Sequence, residues 1–267
     1  MASGRVVLVT GAAGGIGAAI TNALIGAGHS VAAVDRDAAA LERLASERIH
    51  PIKADLADEA ACREAVASAV AHFGRLDAVI NNAGIGPSSL RADAEQNLPS
   101  IEELTAEIWD RFFAINVRAP MLLTQAALPH MRRGGFGRVI NSTTSFRTML
   151  RVLPYGATKS ALESMSAIWG TELKDAGITV NVLIPGGPTD TAFISDGAGW
   201  DRAKMLRPEI MGPPAVWLIS DEAADYTGNR IIAANWNMSL LGAEAAAKAG
   251  RAIGWPELGA DAVWLKG

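Results

Sequence analysis

Two side chains in the stretch "VLPYGATKSAL" (152–162) have the chemistry to move a proton: Tyr155, one of two tyrosines among 267 residues, and Lys159 four positions later. On a helix that spacing places phenol and ammonium on one face. A cation beside a phenol favours the phenolate and draws its pKa toward the working range of an acid/base catalyst. The stretch also has a purely structural reading. Pro154 can open a helix, where its missing N–H is not needed, with Tyr155 a half-buried aromatic.

A second group of residues has chemistry of another kind. Thr10-Gly-Ala-Ala-Gly-Gly-Ile-Gly17 follows a β-branched run, and Ile16 opens a helical pattern. Gly11, Gly15 and Gly17 allow a sharp turn, close approach of backbone to a pyrophosphate and tight helix–strand packing, while the helix N-terminus supplies N–H donors. About 20 residues on, where such folds place a ribose-binding acid, "SVAAVD" ends in Asp35. A carboxylate there accepts from both adenosine ribose hydroxyls and repels a 2′-phosphate. With Gly14 rather than a base inside the turn, NAD is expected in preference to NADP. The alternative is that Asp35 caps the next turn together with Asp37.

These residues need elements to position them. Short β-branched runs (6–9, 30–34, 50–53, 78–81, 138–142, 179–184 and 230–233) alternate with Ala-rich helical patterns (16–27, 38–47, 59–73, 107–131, 155–176 and 214–220). Strands separated by helices predict βαβ units and a buried parallel sheet, a doubly wound α/β or Rossmann fold. No linker or repeat divides the chain. A single domain over 1–267 is expected, with 1–84 mainly its cofactor half. Two stretches break the rhythm, 85–104 and 186–212. Both follow predicted strands and should overhang the carboxyl edge of the sheet, where ligands bind. A tail, 241–267, extends past the last predicted strand.

Composition removes several function classes. A net charge of -4 and pI near 5.6 speak against nucleic acid as a partner. Cys62 is the only cysteine and the four histidines lack ligand spacing, so no metal is expected. Cys62 itself reads as a small buried hydrophobe. The N-terminus is unlike a signal peptide and no apolar run spans a bilayer, which predicts no membrane and a cytoplasmic location.

The glycine turn, "INNAG" (80–84), Ser142 at a strand end, Tyr155-x-x-x-Lys159, Asn116 in "AINVRAP" and Pro185-Gly186 occur in an order that resembles the classical short-chain dehydrogenase/reductase family over residues 5–234. The resemblance implies an enzyme that interconverts a secondary alcohol and a ketone with NAD. Tyr155 would be the general acid/base, and Lys159 would lower its pKa and bind the nicotinamide ribose. Ser142 would hold the substrate oxygen, and Asn116 would anchor a proton-relay water. Asp55 and Leu56 would meet the adenine, Asn82, Ala83 and Gly84 the adenosine side, and Pro185 and Gly186 the nicotinamide. Family members commonly form dimers through two long helices and often tetramers, so a homotetramer, or else a homodimer, is expected. The apolar tail, with Trp255, Leu258, Val263, Trp264 and Leu265, would cross a subunit interface or fold back over its own core.

The chain departs from the family pattern in places. "PGGPTDT" offers both Thr189 and Thr191 for the carboxamide, Thr143, Thr144 and Ser145 crowd Ser142, and 85–104 exceeds the usual connection. Phe146, Met149, Leu150, Val152, Leu153, Phe193 and Trp200 are candidates for an apolar substrate pocket, while Arg147 and Arg151 read as solvent-exposed. Two other function classes stay open: a dinucleotide-binding sensor or scaffold without chemistry, and an epimerase or lyase on the same fold.

Overall fold

The structure is a computed structural model that describes residues 4–44 and 46–259. In chain order it runs β1 (Val6–Thr10), α1 (Gly15–Gly26), β2 (Ser30–Asp35), α2 (Ala38–Leu44), β3 (Ile49–Lys53), α3 (Glu59–Phe73) and β4 (Ala78–Asn81). It continues with α4 (Ala106–Phe113), α5 (Ala119–Gly134), β5 (Gly137–Ser142), α6 (Phe146–Met149), α7 (Tyr155–Glu172) and β6 (Ile178–Ile184). The last elements are α8 (Gly212–Ile219), β7 (Asn229–Ile232), α9 (Gly242–Ala249), β8 (Gly250–Ala252) and α10 (Pro256–Gly259).

The eight strands form one sheet in the order β3-β2-β1-β4-β5-β6-β7-β8. All neighbours are parallel except β7 and β8. The strand order reverses between β1 and β4, which opens a crevice at their carboxyl ends. Alternation along β1 shows how the sequence builds two cores. Val7 and Val9 join Ile20, Leu24 and Leu218 on one face, while Val6 and Leu8 join Cys62, Val66 and Leu123 on the other.

Three elements differ from the sequence expectation. The helical pattern 107–131 is interrupted by one π-turn, Ala114–Arg118, between α4 and α5. Pro120 has no N–H for the carbonyl four residues back, which is that of Asn116, so the regular ladder cannot run through this point. The helix expected over 38–47 ends at Leu44, and Ser46 pairs with Ile49. The tail does not start after a finished sheet. Its α9 covers the sheet and its β8 adds the antiparallel edge strand beside β7. The Ala-rich run 244–249 hid a helix that buries Ala245, Ala246 and Ala249, and three residues were too few to show a strand period.

Candidate active site

The glycine turn is shaped by contacts that leave no room for side chains. Gly11 and Gly15 have φ of +63° and +50°, and a Cβ on Gly17 would lie 1.9 Å from the Gly11 carbonyl oxygen. A Cβ on Gly14 would meet nothing within 4 Å, so the surface above the turn is open. No side chain caps α1, and Gly14, Gly15 and Ile16 at its start line the cleft. Such a cradle fits a pyrophosphate. Thr10 and Asn82 brace it from behind: Thr10 Oγ1 accepts from the N–H groups of Asn82 and Ala83 at 3.0 Å each, and Asn82 Nδ2 donates to the Thr10 carbonyl.

Asp35 holds the turn as well as facing the crevice. Its Oδ2 accepts from Ala13 N–H and its Oδ1 from Asp37 N–H, both at 3.1 Å. A carboxylate has about four acceptor sites, so two bonds leave capacity for a ribose. The local cap and the ribose reading are therefore compatible. Asp55 uses Oδ1 on Ala57 N–H and lines the crevice with Leu56.

The other end of the crevice gathers Ser142, Tyr155 and Lys159. Ser142 Oγ is buried without a partner. Its crowded neighbours are engaged: Thr143 Oγ1 donates to Glu163 and Ser145 caps α6. Lys159 is 3% exposed, and its Nζ donates to the Ser142 carbonyl at 2.7 Å. Burial pushes this ammonium down to about 8. Burial likewise pushes the Tyr155 phenol up to about 12, with the Thr144 hydroxyl working against it. The expected lowering by Lys159 is not found: burial and the Thr144 hydroxyl are what act on the phenol. The ammonium is turned to the Ser142 carbonyl, 5.7 Å from the phenol ring centre. Asn116, in the π-turn, grips Ile85 through both backbone groups, at 2.9 Å to the N–H and 3.0 Å to the carbonyl. Gly84 leaves the gap between Asn116 and Lys159 open, since a Cβ there would stand 3.1 Å from Asn116 Oδ1 and 3.5 Å from Lys159 Nζ.

One cleft of about 1300 Å³ joins the two ends. Gly11, Gly15, Ile16, Asn82, Ala83 and Gly84 line it together with Pro185, Gly186, Thr189 and Thr191. Thr10, Gly17 and Asn116 stand behind its wall. The two threonines separate: Thr189 bonds the Gly187 carbonyl, whereas the Thr191 side chain lies against Gly15. Over the top, 85–104 and 186–212 clasp each other. Ser88 Oγ donates to the Phe193 carbonyl and Gln96 Nε2 to that of Ala198, both at 2.6 Å. The Phe193 ring lies 5.7 Å from that of Tyr155 and presses on Gly86.

A family profile described as short chain dehydrogenase matches residues 5–198. The chain belongs to the short-chain dehydrogenase family. It is 33% identical over 245 residues to an L-fucose dehydrogenase of Oryctolagus cuniculus, covering 85% of this chain and 82% of the relative. A solved 3-ketoacyl-(acyl-carrier-protein) reductase from Brucella melitensis, complexed with NADH, superposes with TM-score 0.72 at 27% identity. That match covers 85% of this chain and 95% of the other. A blue fluorescent protein from a metagenomic library, in complex with NADPH, gives 0.71 at 31% identity over 84% and 94%. The short-chain dehydrogenase family binds a nicotinamide dinucleotide, and the choice between NAD and NADP has to come from this chain's own residues.

Several residues around this short-chain dehydrogenase cleft escaped the sequence reading. Of the apolar pocket candidates, Val152, Phe193 and Trp200 line the cleft. Met149 is core, Leu150 points to solvent and Phe146 packs under Arg230 and against Trp255. Arg147 and Arg151 are exposed as expected, yet both line the mouth. Glu163 and Arg230 form an ion pair at 2.8 Å, 0% and 5% exposed, behind Ser142. Arg230 also donates to the Thr144 carbonyl, and Glu163 accepts from Thr143 Oγ1 and Gly254 N–H. Their signal was present: Tyr155, Lys159 and Glu163 share one helical face.

Proposed function

We propose that this short-chain dehydrogenase is an NAD(H)-dependent enzyme that interconverts a secondary alcohol and a ketone, with Tyr155 as its general acid/base. The observation that carries the reading is the convergence of an unpartnered Ser142 hydroxyl, Tyr155 and a buried Lys159 in the same cleft as an uncapped helix N-terminus. The name of the L-fucose dehydrogenase relative supports chemistry at a CH–OH carbon.

The α1 N-terminus and glycine turn would hold the pyrophosphate, Asp35 the adenosine ribose, Asp55 and Leu56 the adenine, and Pro185 and Gly186, with Thr189 or Thr191, the nicotinamide end. When bound, the dinucleotide supplies the hydride or takes it up. Ser142 Oγ donates to the substrate oxygen and fixes it beside the phenol. In the direction of reduction Tyr155, held protonated by burial, delivers its proton to that oxygen as charge develops. Lys159 then stabilises the phenolate. In the direction of oxidation Tyr155 must act as the phenolate, which takes the proton of the alcohol and needs the Lys159 charge beside it to form. Asn116, anchored on Ile85, keeps the way from Lys159 toward solvent polar. Arg36 lines the cleft next to Asp35 and offers a cation to a 2′-phosphate, so the preference for NAD rests on the Asp35 carboxylate. Absorbance at the NADH band, with a panel of secondary alcohols and ketones, tests the proposal. A protein that binds NADH and turns over none of them would overturn it in favour of a sensor or scaffold, or an epimerase or lyase on the same fold.

A further inference from the structure

Among the described residues, two buried side-chain polar atoms without a partner belong to residues lining the cleft: Ser142 Oγ and Glu95 Oε2. Ser142 has a task in the reaction. Glu95 stands in the 85–104 segment and takes no part in the proton and hydride transfer proposed above. Two donor side chains that flank it in its own segment are engaged elsewhere. Arg91 binds Glu103 and the Asn97 carbonyl, each at 2.6 Å, and Gln96 reaches across to Ala198. The neighbouring loop is equally occupied: Arg202 binds Asp190 and Asp196 at 2.8 and 2.6 Å, and Arg207 binds Asp190 at 2.7 Å.

Glu95 has one oxygen withdrawn from water without a donor, which is unfavourable, and a donor entering the cleft meets this carboxylate where the side chain lines the wall. The rest of the wall limits what that donor can be. Arg147 and Arg151 carry positive charge into the mouth and disfavour an ammonium. Glu95 disfavours a carboxylate. A hydroxyl has no charge, donates to Glu95 and can accept from an arginine.

We propose that Glu95 is the specificity-determining residue of this cleft: it accepts a hydrogen bond from a second hydroxyl of the substrate, so the preferred substrates are polyhydroxylated. The inference rests on the alcohol-oxidising function proposed above. Glu95 selects by leaving its carboxylate unpaired whenever the substrate lacks that hydroxyl, a form of discrimination that apolar contacts with Phe193 and Trp200 cannot provide.

The test compares erythritol with butan-2-ol, which share a four-carbon chain, in the wild-type enzyme and in Glu95→Gln and Glu95→Leu, with NAD and the NADH absorbance as readout. A hydrogen bond to a charged group leads us to expect that both variants lose roughly 10- to 100-fold in kcat/KM on erythritol, mostly in KM, and stay within about twofold on butan-2-ol. Equal losses on both alcohols, or none on either, would overturn the proposal. So would a Glu95-dependent preference for 1-aminobutan-2-ol over erythritol. If the wild type oxidises no alcohol, the function proposed above fails by itself. Calorimetric titration of erythritol into the NAD-loaded wild type and Glu95→Gln then decides this point separately: weaker binding by the variant supports it and unchanged binding overturns it.

Discussion

Burial gives Tyr155 and Lys159 opposite displacements, the phenol upward and the ammonium downward, and each follows from the charged form losing water. The consequence is directional. Removing only the phenolic oxygen in Tyr155→Phe is expected to lower turnover by roughly 100-fold or more, as loss of general acid/base work implies, while NADH affinity measured by fluorescence titration is retained. The pH dependence follows from the signs. Lys159 is charged below about 8 and loses its proton as pH rises through that value, whereas Tyr155 stays protonated up to about 12. Ketone reduction should therefore show a kcat/KM that is flat near neutrality and falls as pH rises through about 8. A profile that stays flat well beyond that pH would remove Lys159 from its role. At the other end of the cleft, Asp35→Ala deletes the charge that opposes a 2′-phosphate and leaves Arg36 beside it. The ratio of kcat/KM for NAD over NADP should then drop by at least about tenfold, and a wild type that favours NADP would overturn the assignment.

Elements explain why some of this was legible in the sequence. Strand and helix periods located β1 to β7 to within a residue or so, because parallel strands buried on both faces need unbroken apolar runs and their helices need caps and breaks. Asp58 accepts from two N–H groups at the start of α3, and Gly74, at φ +75°, ends it. The glycine turn and the Tyr155–Lys159 face were visible for the same reason, since their geometry is local. What depended on long-range contacts was not. The π-turn that sets Asn116, the β8 edge and the clasp between Gln96 and Ala198 have no local period. Nor does the pairing of Glu163 with Arg230, 67 residues apart, although a charge on the sheet-facing side of α7 demanded a partner. That pair also bonds Thr143 and the Thr144 carbonyl, just beyond Ser142, so its integrity fixes the strand end. Glu163→Gln leaves Arg230 buried with its charge unmatched and should cost about 3–5 kcal/mol in urea unfolding. A variant as stable as the wild type would show that Arg230 finds another partner.

At the scale of the whole molecule the described part of the tail packs on its own chain. Ile253 is buried, Gly254 N–H reaches Glu163 and Trp255 packs on Phe146. The expectation that the tail crosses an interface now falls on 260–267, with Val263, Trp264 and Leu265, which lie outside the described residues. Ending the chain at Leu241, which would isolate a free tail, would instead remove α9 and β8 and expose the core beneath them. A clean separation requires a version that stops at Gly259. The other candidate interface is the outer face of α4, α5 and α7, where Trp109, Met121 and Ile168 are 38%, 41% and 60% exposed. Covering such side chains removes apolar area from water, and the family resemblance places a dimer contact on these helices. We therefore expect a homotetramer whose two kinds of contact respond separately. Light scattering should find Ile168→Glu shifted to a smaller species because a charge is buried unpaired, and the version ending at Gly259 reduced to a dimer that keeps the α7 contact. A monomeric wild type would overturn the assembly. A tetramer that survives loss of 260–267 would show that the tail belongs wholly to its own subunit.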